Sequence, residues 1–259
     1  MTLWEAIVLG IVQGATEFLP VSSSGHLVMS QELLGVEVPG ILFEVAVHLA
    51  TLISILVVYR KRVADLVVGC LRGERDSLGY AGLLVLATIP AAVLGLFFED
   101  AISAAFDDPA ITGIAFLVTG GLLWSTRTAV ARGPEARPTV RTALLMGFAQ
   151  AFALIPGISR SGSTVVAGLW GGVAGREAAA FSFLMAVPAI LGAALLKLPG
   201  VDSTGLPLTV LMGGAVAAAL TGILAIRVFV AFLRKQAFHR FAYYLWPVGI
   251  AFLAYLAWS

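Results

Sequence analysis

Two hydrophobic stretches of this chain, residues 3–34 and 140–171, are each broken near the middle by proline, serine and glycine. The breaks read Gln13-Gly-Ala-Thr-Glu-Phe-Leu-Pro-Val-Ser-Ser-Ser-Gly-His26 and Gln150-Ala-Phe-Ala-Leu-Ile-Pro-Gly-Ile-Ser-Arg-Ser-Gly-Ser-Thr164. They align with each other at an offset of 137 residues, which pairs Gly10 with Gly147, Gln13 with Gln150, Ser22 with Ser159, Ser24 with Ser161 and Gly25 with Gly162. Each half is too short to cross a bilayer, which takes about 20 apolar residues. Proline removes a backbone donor and glycine permits unusual dihedrals, so each stretch reads as a helix–loop–helix hairpin dipping into a membrane. Irregular backbone at that depth survives only where protein buries it or a watery cavity receives it. Two such hairpins, related by sequence, are expected to build one site.

Composition supports a membrane setting. The chain is 59% hydrophobic and 12% charged, with mean hydropathy +0.98, and soluble domains carry about twice that share of charge. Six uninterrupted apolar segments, 42–59, 79–98, 110–126, 178–197, 207–230 and 241–258, read as full spans. Their continuity excludes the alternating pattern of a β-barrel. The expected fold is therefore an all-α polytopic membrane protein, a single domain over 1–259 with six transmembrane helices and two re-entrant hairpins. The N-terminus lacks a basic leader and a small-residue cleavage site, so no removable signal is expected. The lone Cys70 rules out an intramolecular disulfide framework or a cysteine metal cluster. Nothing suggests a nucleic-acid partner.

The net charge of +1 hides a sorted distribution. With 42–59 running inward, one side collects Arg60, Lys61, Arg62, Arg72, Arg75, Arg127, Arg132, Arg137, Arg141, Arg176, Arg227, Arg234, Lys235 and Arg240, leaving Arg160 and Lys197 unassigned. The opposite loop, 99–108, holds Glu99, Asp100, Asp107 and Asp108. The positive-inside rule then places both termini outside. Each unit, about 1–132 and 138–259, contains one hairpin and three spans. That odd number of crossings makes the units inverted copies whose hairpin tips approach each other from opposite faces.

The tips carry chemistry. Gln13 and Glu17 share a helix face, and a carboxylate there needs a cation, a metal or donors to stay ionised. Ser22, Ser23, Ser24 and His26 open one returning helix; Ser159, Arg160, Ser161 and Thr164 open the other. Hydroxyls and free N–H groups at helix N-termini attract anions, and arginine suits bidentate binding of phosphate or carboxylate. Histidine and serine beside a bound phosphate could perform phosphoryl transfer.

At these residues the sequence resembles the bacterial undecaprenyl-diphosphate phosphatases of the bacitracin-resistance type. The resemblance rests on Glu17-Phe-Leu-Pro-Val-Ser-Ser-Ser-Gly-His26, Pro156-Gly-Ile-Ser-Arg-Ser-Gly-Ser-Thr164 and Phe43-Glu44-Val-Ala-Val-His-Leu49. It implies an inner-membrane enzyme that removes one phosphate from a C55 isoprenyl diphosphate, regenerating the carrier lipid of cell-wall synthesis. It implies an active-site set of Glu17, Ser23, His26, Ser159, Arg160 and Thr164. It also implies a divalent cation, magnesium or calcium, with Glu17 as the local ligand. Gln13 stands where many relatives have glutamate, so a metal site needing two carboxylates from this helix is not supported. Ser22, Ser24, Ser159, Ser161, Thr164 and Gln13 are expected to bind the diphosphate. Ser23, His26 or a water remain open as nucleophile.

From architecture alone, a lipid or anion transporter is the rival reading. Other residues carry plainer expectations. Glu44 and His48 could pair within a span, His239 and Cys70 belong to inner loops, and Trp4, Trp246, Trp258 and Tyr255 read as interfacial anchors. The small residues 213–219 favour close helix packing and leave room for a homodimer.

Overall fold

The computed structural model describes residues 1–34, 40–129, 136–197 and 206–258. Among these, all regular structure is helical. The helices are α1 (Leu3–Phe18), α2 (Ser23–Leu34), α3 (Gly40–Val58), α4 (Arg60–Leu71), α5 (Arg75–Phe97), α6 (Glu99–Phe106), α7 (Pro109–Ser125), α8 (Val140–Phe152), α9 (Arg160–Trp170), α10 (Gly175–Lys197), α11 (Leu208–Arg234) and α12 (Ala242–Trp258). Five helices are long and apolar enough to cross a membrane, and α3 joins them if it and α4 count as one broken span. The protein is thus a multi-pass membrane protein. Arg132, counted among the inward charges, lies outside the described residues, as does part of the junction between the two units.

Two segments read as loops are helical. Residues 60–71 form α4, bent 83° from α3, so Cys70 lies on a helix. The charges of Arg60, Lys61, Arg62 and Asp65 hide this helix from a hydropathy reading, although its apolar residues keep to one side. Residues 99–106 form α6 in the acidic connection. His239 sits in a short 3₁₀ turn, Phe238–Phe241. Trp246 is half-buried; its indole N–H donates to the Leu117 carbonyl at 3.3 Å and its ring covers Gly120. It packs α12 on α7, whereas Trp4 and Trp258 are exposed.

The sequence repeat has local structural counterparts. Thr2 and Thr139, 137 positions apart, each form a capping box that starts the first helix of a broken stretch. Gly10 on α1 packs directly on the backbone of α11 at Gly214, and Gly147 on α8 packs on the backbone of α5. A Cβ at Gly147 would stand 2.6 Å from the Ala87 oxygen, and one at Gly10 would collide with the Gly214 carbonyl. Apolar burial gives little drive inside lipid, so such close backbone approach is a main source of helix adhesion.

Opposite effects are therefore expected at two glycines. Gly10→Ala should lower the unfolding temperature in detergent, by the equivalent of about 1–3 kcal/mol. Gly82→Ala, with nothing near its Cβ position, should leave stability unchanged or raise it slightly. Equal thermal transitions for the two variants would contradict the close packing of α1 on α11.

Candidate active site

The tips of the two broken stretches touch. Gly25 packs against the Phe116 ring and Gly157, with only 2.8 Å from its Cβ position to the Gly157 Cα. Gly162 faces Pro20, and the Ser161 hydroxyl donates to the Leu19 carbonyl at 3.3 Å. Thr119 of α7 steadies the second loop by donating to the Gly157 carbonyl and accepting from the Ser159 N–H.

The repeated residues make repeated hydrogen bonds. Ser22 Oγ accepts from Gly25 N at 3.3 Å, and Ser159 Oγ accepts from Gly162 N at 3.1 Å. Each hydroxyl also contacts a second one two residues on, Ser24 or Ser161. Ser22 and Ser159 are buried and serve as caps. Ser22 does so at φ +69°, a left-handed conformation that is costly for residues other than glycine. Past the caps, the backbone N–H groups of Ser23, Ser24, Arg160 and Ser161 take no partner among the described residues. Two helix N-termini thus meet with free donors, an arrangement that favours an anion.

The anion already present is Glu17. Its Oε1 accepts from Arg160 Nη2 at 2.5 Å, and its Oε2 accepts from Ser23 Oγ at 2.7 Å and Gln13 Nε2 at 3.0 Å. A residue of the first break is therefore joined to Arg160, the one cation between Gln150 and Thr164 in the second. His48 Nε2 stands 3.9 Å from the same carboxylate, while its Nδ1–H donates to the Glu44 carbonyl. Glu17, His48, Gln150 and Arg160 line a cavity of about 200 Å³. Its remaining wall is mostly apolar and small: Ala91 of α5, Leu154, and Ala189, Ile190 and Ala193 of α10. Arg160 Nη1, Gln13 Oε1 and both amide atoms of Gln150 are buried without a partner. Such groups are costly unless something else bonds them.

His26 is held elsewhere. Its Nδ1 lies 2.8 Å from the Ser22 carbonyl, which can only accept, so Nδ1 carries the proton. Nε2 of the neutral ring then accepts from the Tyr244 hydroxyl at 2.7 Å. The two rings stack, and Phe116 closes the other side. No hydrogen bond joins His26 to Ser23. The Thr164 hydroxyl is fully buried and bonds Arg160 O and the Ser182 hydroxyl, which ties α9 to α10.

Gln13, Glu17, Ser23 and Arg160 thus form one network, with Ser24 and Ser161 on its flanks. Ser22, Ser159 and Thr164 support it from below. Sequence reasoning missed Tyr244, His48 and Gln150 as neighbours of the site. Gln150 carried a signal as the repeat partner of Gln13, and His48 as part of the stretch Phe43–Leu49 that resembles the family; Tyr244 carried none.

The sequence profile of the family described as bacitracin resistance protein BacA matches residues 6–251. The chain belongs to this family. An undecaprenyl-diphosphatase of Alkaliphilus metalliredigens is 43% identical over 269 residues, covering 96% of this chain and 97% of that one. One of Syntrophotalea carbinolica is 41% identical, covering 98% and 99%, and one of Salinibacter ruber is 40% identical, covering 96% and 97%. Because the family match spans both broken stretches and the spans between them, it covers every residue of the network.

Proposed function

We infer that the protein is an integral-membrane phosphatase that hydrolyses undecaprenyl diphosphate to undecaprenyl phosphate and phosphate. The observation that carries this reading is the Glu17 carboxylate, shared between the Ser23 hydroxyl and the Arg160 guanidinium where two helix N-termini meet. The apolar wall between α5 and α10 offers an isoprenyl tail a route into lipid, and the diphosphate would enter the polar end.

The chemistry follows from an exchange of partners. An arriving terminal phosphate takes over Arg160, whose Nη1 is already unpaired, together with the free N–H groups of α2 and α9. Glu17, released from the guanidinium, accepts the Ser23 proton. Ser23 Oγ attacks the terminal phosphorus, and the bond from that phosphorus to the bridging oxygen breaks. Undecaprenyl phosphate leaves with the electron pair. Water then attacks the phosphoserine, releasing phosphate and returning the proton to Ser23. His26, fixed between Ser22 and Tyr244, holds the first turn of α2 in place and offers a base for that water once Tyr244 shifts.

Magnesium or calcium suits this site in one way. Among the described residues no three of His, Cys, Asp and Glu converge on a metal position, so Glu17 and the unpaired Gln13 Oε1 would share the ion with the diphosphate. Bound there, it would neutralise charge on the phosphate oxygens.

The architecture extends the reading. We propose six spans and two re-entrant hairpins, arranged as inverted units of about 1–132 and 138–259. In support, α1 packs on α11 while its counterpart α8 packs on α5, and α7 packs on α12. The charge pattern argues for an inner-membrane protein with both termini outside.

Phosphate release from purified protein in detergent, with long and short isoprenyl diphosphates and with or without chelator, tests the reading. Release that prefers the long lipid and stops with chelator is expected. A protein that releases nothing in detergent yet moves the lipid across vesicles would overturn it in favour of transport.

A further inference from the structure

A second cavity, of about 590 Å³, lies at the other end of the helices that wall the first. On α3, His48 belongs to the Glu17 cavity while Val58 and the following Tyr59 line this one. On α10, Ala189 lines the first while Arg176 and Ala180 line the second. The separation along either helix is roughly 15 Å. Phe18, Tyr59, Phe183 and Phe229 pack between them, with Phe183 contacting each of the others at 5.0–6.1 Å between ring centroids.

The charge in this cavity is lopsided. Arg60, Lys61 and Arg62 of α4, Arg176 of α10, and Arg227 and Arg234 of α11 face a single carboxylate, Glu177. That carboxylate is already used: Arg62 donates to both of its oxygens, at 2.8 and 2.6 Å, and lies over the Tyr80 ring. The other five cations have no ion-pair partner among the described residues. Like charges held around one cavity repel unless an anion enters. The floor is apolar, built from Val58, Ala180, Ile226 and Val230. Within about two turns of these lining residues along the same helices, Ile53 and Leu56 of α3 and Leu220 and Leu224 of α11 are exposed, apolar surface of the kind acyl chains cover.

We propose that this cavity binds a phosphate group, carried by an anionic lipid or free in solution. Four arginines from three helices supply the forked donors that phosphate oxygens accept. Basic pockets between transmembrane helices characteristically hold phosphate headgroups. Bundle-spanning rigidity comes from the Arg62–Glu177 pair, which fixes α4 to α10 and leaves the remaining cations to the ligand.

Native mass spectrometry of the purified protein in neutral detergent tests this, with dihexanoyl phosphatidic acid and inorganic diphosphate as probes. Wild type should bind two phosphate ligands. Arg227→Gln/Arg234→Gln should lose one of them, with affinity at that site falling roughly tenfold or more, whereas Arg227→Lys/Arg234→Lys should retain most of it. Arg160→Ala reports on the Glu17 site separately, so failure there leaves this test standing. Tighter binding of the phosphatidic acid assigns the cavity to a headgroup; equal binding of diphosphate assigns it to free phosphate. Unchanged stoichiometry and affinity in Arg227→Gln/Arg234→Gln would overturn the proposal.

Discussion

Arg160→Ala is expected to reduce phosphate release by about 10³-fold or more, the range seen when a transition-state cation is removed from phosphoryl transfer. Two effects combine. Charge developing on the phosphate oxygens loses its forked donor, and the buried Glu17 carboxyl loses its cationic partner at 2.5 Å. Removing one member of such a pair also destabilises the fold, typically by about 3–5 kcal/mol. Thermal unfolding separates these contributions. The double variant Arg160→Ala/Glu17→Gln carries no stranded charge, so it should recover much of the lost stability and none of the activity. Arg160→Lys keeps the charge without the fork and should fall between wild type and alanine. Activity within threefold of wild type in Arg160→Ala would remove this residue from the mechanism.

Ser23→Ala should be at least as severe, with turnover falling on the order of 10⁴–10⁶-fold, as when other nucleophiles that act as part of a unit are deleted. The half-buried Ser23 hydroxyl makes its single bond to Glu17, so the variant should remain folded. Rapid quenching with labelled substrate should trap phosphate on Ser23 in the wild type and nowhere in the variant. A loss of less than about tenfold, with no phosphoserine, would instead make water the nucleophile. Glu17→Gln should abolish the same burst while preserving lipid binding, because an amide cannot take the Ser23 proton.

Much of this was legible in the chain. The six apolar runs match α3, α5, α7, α10, α11 and α12 to within a few residues, because continuous hydropathy and span length are local properties. Glu17 and Arg160 stood out as charges in apolar surroundings, and their meeting follows from the repeat. Partner choice was not legible. Tyr244 lies 218 positions from His26 and, on an apolar helix, looks like any interfacial aromatic. His48 was read with Glu44, four residues away, yet the shape of the bundle turns its free nitrogen toward Glu17. The amphipathic α4 escaped because charge, in a hydropathy reading, looks like loop. Ser22, Ser159 and Thr164 were expected to bind the diphosphate, the last two also through the family resemblance; the structure buries all three and adds a local role that residue type does not reveal, hydrogen bonding within and between the helix starts.

The aromatic layer around Phe183 has a consequence for the cell's energy supply. Two polar cavities at opposite ends of α3 and α10 leave little insulation across the protein, and a water thread joining them would let protons run down the electrochemical gradient. Phe18, Tyr59, Phe183 and Phe229 close that route with rings that offer no continuous chain of hydrogen-bonding groups. A layer of this kind lets many copies of the protein sit in an energised membrane without opening that path between the two cavities.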